Sequence, residues 1–240
     1  MNESETRMRV AEVAACLQRV HARIEDACHA AHRSNDVALL VVTKTFPASD
    51  VEILSGLGVT QIGENRDQEA KAKRADLADV PMVWHMIGQV QRNKAASIAR
   101  WADVVESVDR LAVVEALSRG AVQADRLLEV RIQVNLDPEE RPERGGVAPS
   151  DALELAEAVA AASGLRLGGV MGVAPGPTDV GDADSAFALL EHVHALIRAK
   201  HPDARAMSAG MSGDLELAIS HGATQVRIGG AILGSRPLVQ

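Results

Sequence analysis

The chain has 240 residues, with 25 Lys and Arg against 33 Asp and Glu, so its formal charge is −8 at neutral pH. Hydrophobic residues make up 47% of it and aromatic ones only 2%, with two Trp, two Phe and no Tyr. An acidic chain so poor in aromatic rings has little with which to stack bases or coat a phosphate backbone, so nucleic acid is not an expected partner. No stretch approaches the roughly 20 apolar residues that span a bilayer, and the opening MNESETRMRV lacks the apolar core of a signal peptide. A cytoplasmic protein with no membrane partner is expected. At this length a single core is expected too, since α/β barrels commonly run to about 200–250 residues.

From Glu5 to about His32, the apolar residues Val10, Val13, Leu17, Val20, Ile24 and Cys28 recur at steps of three and four. That spacing predicts a leading helix with one apolar face, within residues 1–35. Cys16 and Cys28 both fall on it, about 120° apart around the axis. They cannot bridge each other, and two thiols make neither a metal set nor a disulfide framework.

Eight short β-branched runs follow: Val37–Thr43, Val59–Gly63, Met82–Gly88, Asp103–Ser107, Leu128–Val134, Leu165–Gly172, Ala204–Ala209 and Ala223–Ile228. Helical patterns lie between them, around Ser49–Gly56, Asn65–Leu77, Arg92–Trp101, Arg110–Ala121, Pro149–Ala162, Asp182–Lys200 and Gly213–Ser220. Strict alternation implies a parallel sheet with right-handed crossovers. An open doubly wound sheet would be expected to carry G-x-G-x-x-G after its first strand, whereas here that strand ends in Thr43-Lys44-Thr45. The expected architecture is therefore α/β, a single-domain (β/α)8 TIM barrel over residues 36–240 with the leading helix packed outside it.

In such a barrel, function collects on the loops that follow the strands. Those positions hold Lys44, Glu64-Asn65, His85 and Gln89, Ser107 and Asp109, Asn135, Gly172–Gly181, Ser208–Ser212 and Arg227–Gly230. Lys44 follows the apolar run Leu39-Leu40-Val41-Val42, where desolvation favours the neutral amine, a nucleophile for aldehydes. Taken alone, a lysine at a strand end commonly just extends into water. The other end of the chain adds context. Ser208-Ala209-Gly210-Met211-Ser212-Gly213 and Arg227-Ile228-Gly229-Gly230-Ala231 are Gly-rich turns that each open a helix. Backbone N–H groups there, with serine hydroxyls, suit a phosphate, and the loops after strands seven and eight are where many barrels hold one. Asp214 argues the other way, since a carboxylate in that first turn repels an anion. Arg227, permanently charged, would oppose protonation of a ring nitrogen beside it. An amine facing a phosphate cradle suggests an aldehyde that carries a phosphate, and pyridoxal 5′-phosphate (PLP) fits.

At this point the sequence resembles the pyridoxal phosphate homeostasis proteins, the YggS or PROSC family, from about Val37 to Gly234. The carriers are Val42-Thr43-Lys44-Thr45 with Pro47, Gly63-Glu64-Asn65 with Gln68-Glu69, and Trp84-His85-Met86-Ile87-Gly88 with Gln91 and Asn93-Lys94. Ser107-Val108-Asp109, Val134-Asn135, Met207-Ser208-Ala209-Gly210-Met211-Ser212 with Asp214, and Val226-Arg227-Ile228-Gly229 ending in Gly234 complete them. The resemblance implies a barrel like the N-terminal domain of alanine racemase, with PLP as a Schiff base on Lys44. It implies phosphate contacts from Ser208 and the Gly229-Gly230 turn, Arg227 facing the pyridine nitrogen, and Asn65, His85 and Ser212 near the pocket. Two positions depart from the family pattern: Arg66-Asp67 where Tyr-Val is frequent, and Gly230 where Thr is frequent. Loss of that threonine hydroxyl removes one phosphate hydrogen bond, about 1 kcal/mol or more. The loop Asp137–Gly146 follows the family only loosely, and no roles are transferred to it.

Racemisation needs an acid and a base on opposite faces of the substrate, and the alanine racemases take a tyrosine from a second domain for one of them. This chain has no tyrosine. The resulting expectation is a non-catalytic PLP carrier in intracellular PLP homeostasis, a monomer or weak dimer, with PLP-dependent apoenzymes as recipients. The alternatives are a PLP enzyme of weak or narrow racemase type, with Lys44 as one base and His85 or water as the other, and a Schiff-base aldolase without PLP.

Overall fold

A 28-residue helix, α1 (Glu3–Ala30), leads the chain. Asn2 and Glu5 form a capping box at its start, which satisfies two backbone N–H groups that the helix itself leaves without acceptors. Its buried positions are Val13, Leu17, Val20, Ile24, Ala27 and Cys28, the face that the spacing predicts. The computed structural model describes residues 2–137, 145–176 and 182–234. Most of the Asp137–Gly146 loop, and the end of the Gly172–Gly181 segment, lie outside the described residues.

Eight parallel strands close into a barrel in chain order: β1 (Ala38–Val42), β2 (Gln61–Glu64), β3 (Val83–Met86), β4 (Val104–Val108), β5 (Leu128–Val134), β6 (Leu165–Gly172), β7 (Ala206–Ser208) and β8 (Gln225–Ile228). Helices α2 (Ala48–Gly56), α3 (Asp67–Asp76), α4 (Ala95–Trp101), α5 (Leu111–Gln123), α6 (Ala152–Ala161), α7 (Ala183–Lys200), α8 (Leu215–Ser220) and α9 (Gly230–Leu233) follow the strands in turn. Strands covered on one side by helices and filled on the other by side chains are apolar nearly throughout, and all five residues of β4 are buried.

Element boundaries shift where the backbone has another task. The third strand stops at Met86 and not at Gly88, because the chain there crosses the exit of β2. A Cβ on Gly88 would stand 2.3 Å from the carbonyl oxygen of Asn65, so only glycine permits the crossing. The helix expected from Asn65 opens at Asp67, after an extended Arg66, and the one expected from Arg92 opens with a 3-10 turn over Arg92–Lys94.

The leading helix takes an outer position because the last two units are short. With only six residues in α8 and four in α9, the β8 and β1 side of the barrel lacks cover, and α1 lies across both helices. Polar links lock it there. Arg9 pairs with Asp50 at 3.0 Å and donates to the Leu233 carbonyl at 2.9 Å. Arg23 pairs with Glu216 and reaches the Ser212 carbonyl at 3.1 Å, while Arg33 donates to the carbonyls of Ile219 and Ala223.

Truncation of a buried residue on this face should measure how firmly α1 is docked. Leu17→Ala is expected to cost about 2–4 kcal/mol in urea unfolding, against under about 0.5 kcal/mol for exposed Gln18→Ala. Equal, small losses for both would show that α1 adds nothing to the barrel's stability.

Candidate cofactor site at the barrel mouth

Parallel pairing of β8 with β1 sets Leu40 opposite Arg227 and Val41 opposite Ile228. The chain therefore leaves both strands side by side, with half-buried Lys44 in the turn after β1. A cavity of about 510 Å³ opens there, and its walls include Lys44, Phe46, Ile87, Ser212, Arg227, Gly229 and Gly230. Gly229 brings the end of β8 close to β1, since a Cβ on it would lie 3.1 Å from the Val42 carbonyl oxygen. A Cβ at Gly213 or Gly230 meets no atom within 4 Å, so both glycines face open space. Asp214, a charged group beside this space, acts electrostatically on Arg227, a residue of the cavity wall. Its carboxylate folds back onto its own loop and accepts the Met211 N–H at 2.6 Å.

The turn that carries Lys44 is strained and firmly held. Thr45 has a φ of 71°, in the left-handed region that β-branched residues rarely enter. Its N–H donates to Glu69 Oε1 at 2.6 Å, and the Phe46 N–H closes back on the Thr43 carbonyl at 3.1 Å. Beneath the turn, Lys73 Nζ donates to the Thr43 carbonyl at 2.9 Å, to Glu64 Oε1 at 2.7 Å and to Glu69 Oε1 at 2.9 Å. The Thr43 hydroxyl adds a 2.6 Å bond to Glu64. Burial pushes the Glu64 carboxyl up in pKa, and the adjacent Lys73 opposes that shift.

A second buried network fills the barrel behind Arg227, centred on Glu106 of β4, which is fully buried. Glu106 Oε1 accepts from Arg131 Nη1 at 2.8 Å and Gln225 Nε2 at 2.7 Å, and stands 2.7 Å from His85 Nδ1. Its Oε2 accepts the Ser208 hydroxyl at 2.6 Å. Arg227 in turn donates from Nη1 to the Ser208 hydroxyl and carbonyl oxygens, both at 2.7 Å, and from Nη2 to the Gly172 carbonyl at 2.8 Å. Burial alone would raise the Glu106 carboxyl. Arg131, the hydrogen bond with His85 and the charge of Arg227 outweigh it and hold the group far below the usual carboxylate range. For Arg227 burial lowers the pKa, with Glu106 opposing, and an arginine so placed keeps its charge.

Five of the eight site residues expected from sequence, Lys44, Ser212, Arg227, Gly229 and Gly230, line one cavity. The other three stand elsewhere. Ser208 lies under Arg227 with its hydroxyl in the Glu106 network, and His85 is buried in the same network with Nε2 unpartnered. Asn65 lines a neighbouring cavity. Sequence reasoning missed Glu106, Arg131 and Gln225, and gave Lys73 no role. The available signal was a Glu inside Val-Val-Glu-Ser-Val and an Arg inside Leu-Glu-Val-Arg-Ile-Gln-Val, charges within otherwise apolar strands.

An eight-stranded α/β barrel with a lysine after β1 and glycine turns after β7 and β8 defines a class of protein, and comparison with known proteins identifies it. The family profile described as alanine racemase, N-terminal domain, matches residues 16–237, and the chain belongs to that family. Among its relatives is the pyridoxal phosphate homeostasis protein of Mycobacterium tuberculosis, 41% identical over 250 residues that cover 96% of this chain and 95% of that protein. Another is the pyridoxal phosphate homeostasis protein of Corynebacterium glutamicum, 44% identical over 230 residues that cover 91% of this chain and 100% of that protein. PipY of Synechococcus elongatus PCC7942, solved with PLP bound, superposes with a TM-score of 0.80 at 29% identity, over 92% of this chain and all of that one. Alanine racemase from Corynebacterium glutamicum gives a TM-score of 0.69 at 17% identity over 96% of this chain and 62% of its own, a likeness of fold alone.

Removal of the central charge should be severe. Glu106→Gln leaves Arg131 and Arg227 without their shared carboxylate and is expected to cost about 3–5 kcal/mol. The sign of the pH effect follows from the depressed folded-state pKa. Glu106 stabilises the fold above its unfolded value of about 4.3 and loses that contribution as the pH falls below it. Urea unfolding at a series of pH values should therefore show a shallower acid slope in Glu106→Gln. An unchanged slope would remove Glu106 from the account of acid stability.

Proposed function

We propose that this chain binds PLP at the barrel mouth through covalent attachment at the Lys44 amine and serves PLP homeostasis in the cytoplasm, holding the cofactor for PLP-dependent apoenzymes. One observation carries the reading: Lys44, Ser212, Gly229, Gly230 and Arg227 line a single cavity. These residues fit the group. PLP supplies an aldehyde for amine capture, a phosphate and a ring nitrogen. The amine answers the first, and the open space beside Gly213 and Gly230 leaves room for the second among backbone N–H groups. Arg227, charged and anchored to Ser208, opposes protonation of the ring nitrogen.

The geometry favours carriage over turnover. A second acid–base group opposite Lys44 is what racemase chemistry demands, and the candidate from sequence was His85. That imidazole is 1% exposed, bonded to Glu106, and absent from the described lining of the Lys44 cavity. A ring nitrogen kept unprotonated also makes the cofactor a poor electron sink. We take the working form to be a monomer or weak dimer.

Mass spectrometry of PLP-treated protein after borohydride reduction tests the site. The pyridoxyl-phosphate adduct is expected on the peptide that contains Lys44 and should vanish in Lys44→Ala; an adduct on a different lysine would overturn the assignment. Incubation with Cα-deuterated amino acids should give no more deuterium loss than free PLP does, whereas faster, Lys44-dependent loss would establish the racemase-type alternative. The open space at Gly230 generates a third expectation. Gly230→Thr should restore a phosphate hydrogen bond and tighten PLP binding by about 1 kcal/mol, roughly fivefold, in a fluorescence titration. Weaker binding would mean that the phosphate does not lie against this turn.

A further inference from the structure

The turns that follow β1, β7 and β8 all contribute to the Lys44 cavity, through Lys44, Ser212 and Gly229-Gly230. The first of them is held from within by Glu69 and Lys73. The other two are tied from outside to α1, which packs against α2, α8 and α9, by two of its arginines.

Arg9, half-buried, spans the barrel seam. Its Nε and Nη2 donate to the two carboxylate oxygens of buried Asp50, both at 3.0 Å, and Nη2 also donates to the Leu233 carbonyl at 2.9 Å. Asp50 lies in the first turn of α2, and Leu233 ends the short helix α9 that Gly230 opens. The Leu233 N–H donates back to the Gly229 carbonyl at 3.0 Å, so the link from Arg9 runs directly into the glycine turn. Further along α1, Arg23 donates to both carboxylate oxygens of Glu216 in α8, at 2.9 and 3.0 Å, and to the Ser212 carbonyl at 3.1 Å. A planar guanidinium that engages a carboxylate with two prongs fixes direction as well as distance. Each arginine therefore sets where the backbone of its turn stands, beyond keeping α1 docked.

We propose that Arg9 and Arg23 are positioning residues for the phosphate of PLP, which hold the Gly229-Gly230 and Ser212 turns at the spacing that a phosphate between them requires. The inference rests on the reading of the cavity given above. Neither arginine lines the cavity, so both act through the backbone that they hold. Aldehyde capture at Lys44 is indifferent to them, because that turn has its own anchors.

The test compares PLP with 5′-deoxypyridoxal, which keeps the aldehyde and the ring, lacks the phosphate and cannot close to a hemiacetal. Absorbance titrations of the full chain give the ratio of the two dissociation constants for each variant. Arg9→Met should weaken PLP roughly fivefold, and Arg23→Met, whose ion pair is more exposed, roughly threefold. The phosphate-free analogue should change by less than about twofold in both. Glu216→Gln separates position from charge. Removal of an acid would by plain electrostatics tighten a phosphate, whereas loss of the partner of Arg23 should weaken PLP by about twofold to threefold. Arg23 and Glu216 are both exposed, so these two variants carry the test even where Arg9→Met folds poorly. Equal losses for PLP and the analogue, or tighter PLP binding in Glu216→Gln, would overturn the proposal. A wild type with no preference for PLP over the analogue would defeat the phosphate reading and this inference together; a preference that survives intact in the arginine variants would defeat this inference alone.

Discussion

The pairing of β8 with β1 is the contact on which the site depends. Four residue pairs, from Ala38 with Gln225 to Val41 with Ile228, join the two ends of the chain. Without that ladder, Lys44 and the Gly229-Gly230 turn would belong to distant parts of the sequence with no shared surface. The pairing is parallel, so both strands release the chain at the same end of the barrel, and a tight approach at Gly229 brings the two exits together. Closure of a β-sheet also removes its exposed edges. The same hydrogen bonds thus settle the fold's stability and the position of its chemistry. The length of α1 follows from this arrangement, since the seam lies where α8 and α9 are shortest and needs cover from elsewhere.

Closure creates a second constraint, which the interior charges answer. An arginine that reaches a cavity from inside a barrel must leave water, and an isolated buried guanidinium is costly. Glu106 offsets this cost for Arg131 directly and for Arg227 through Ser208, and Gln225 fills the remaining acceptor direction. Arg227 is consequently fixed in direction by three bonds to Ser208 and Gly172 before any ligand arrives. Lys44 is prepared in a similar way from below, where Lys73, Glu64 and Glu69 hold a turn whose Thr45 backbone is unfavourable alone. Both walls of the cavity therefore rest on ion pairs that never reach it.

The difference between what was legible in the sequence and what was not has the same origin. Alternation of β-branched runs with helical patterns reports on burial at each residue, so the eight strands, their order and the apolar face of α1 could be read directly. Lys44, Arg227 and the two glycine turns were legible because barrel geometry sends function to strand ends. The Glu106 network was not, because its members are scattered over β3, β4, β5, β7 and β8 and come together only across the barrel interior. Ser208 shows the limit best. It sits at the end of β7 beside the Gly-rich turn, where sequence alone suggests a phosphate contact, yet its side chain points into the barrel and meets Glu106. Ser212, four residues on, lines the cavity in its place. Position along a strand was readable; which side of the sheet each side chain faced at its irregular end was not.

That distinction bears on how little a shared barrel says about chemistry. Fold likeness to alanine racemase at 17% identity is a likeness of fold and says nothing about turnover. Turnover depends on a movable proton on the far side of the substrate. In this chain His85 is buried, and its Nδ1 is tied to a carboxylate that the neighbouring arginines help hold ionised. The charge network that fixes Arg227 is thus the same one that holds His85 in the barrel interior. A variant that freed His85 by cutting Glu106 would also loosen Arg227, so mobility of the one and fixed direction of the other oppose each other within this architecture.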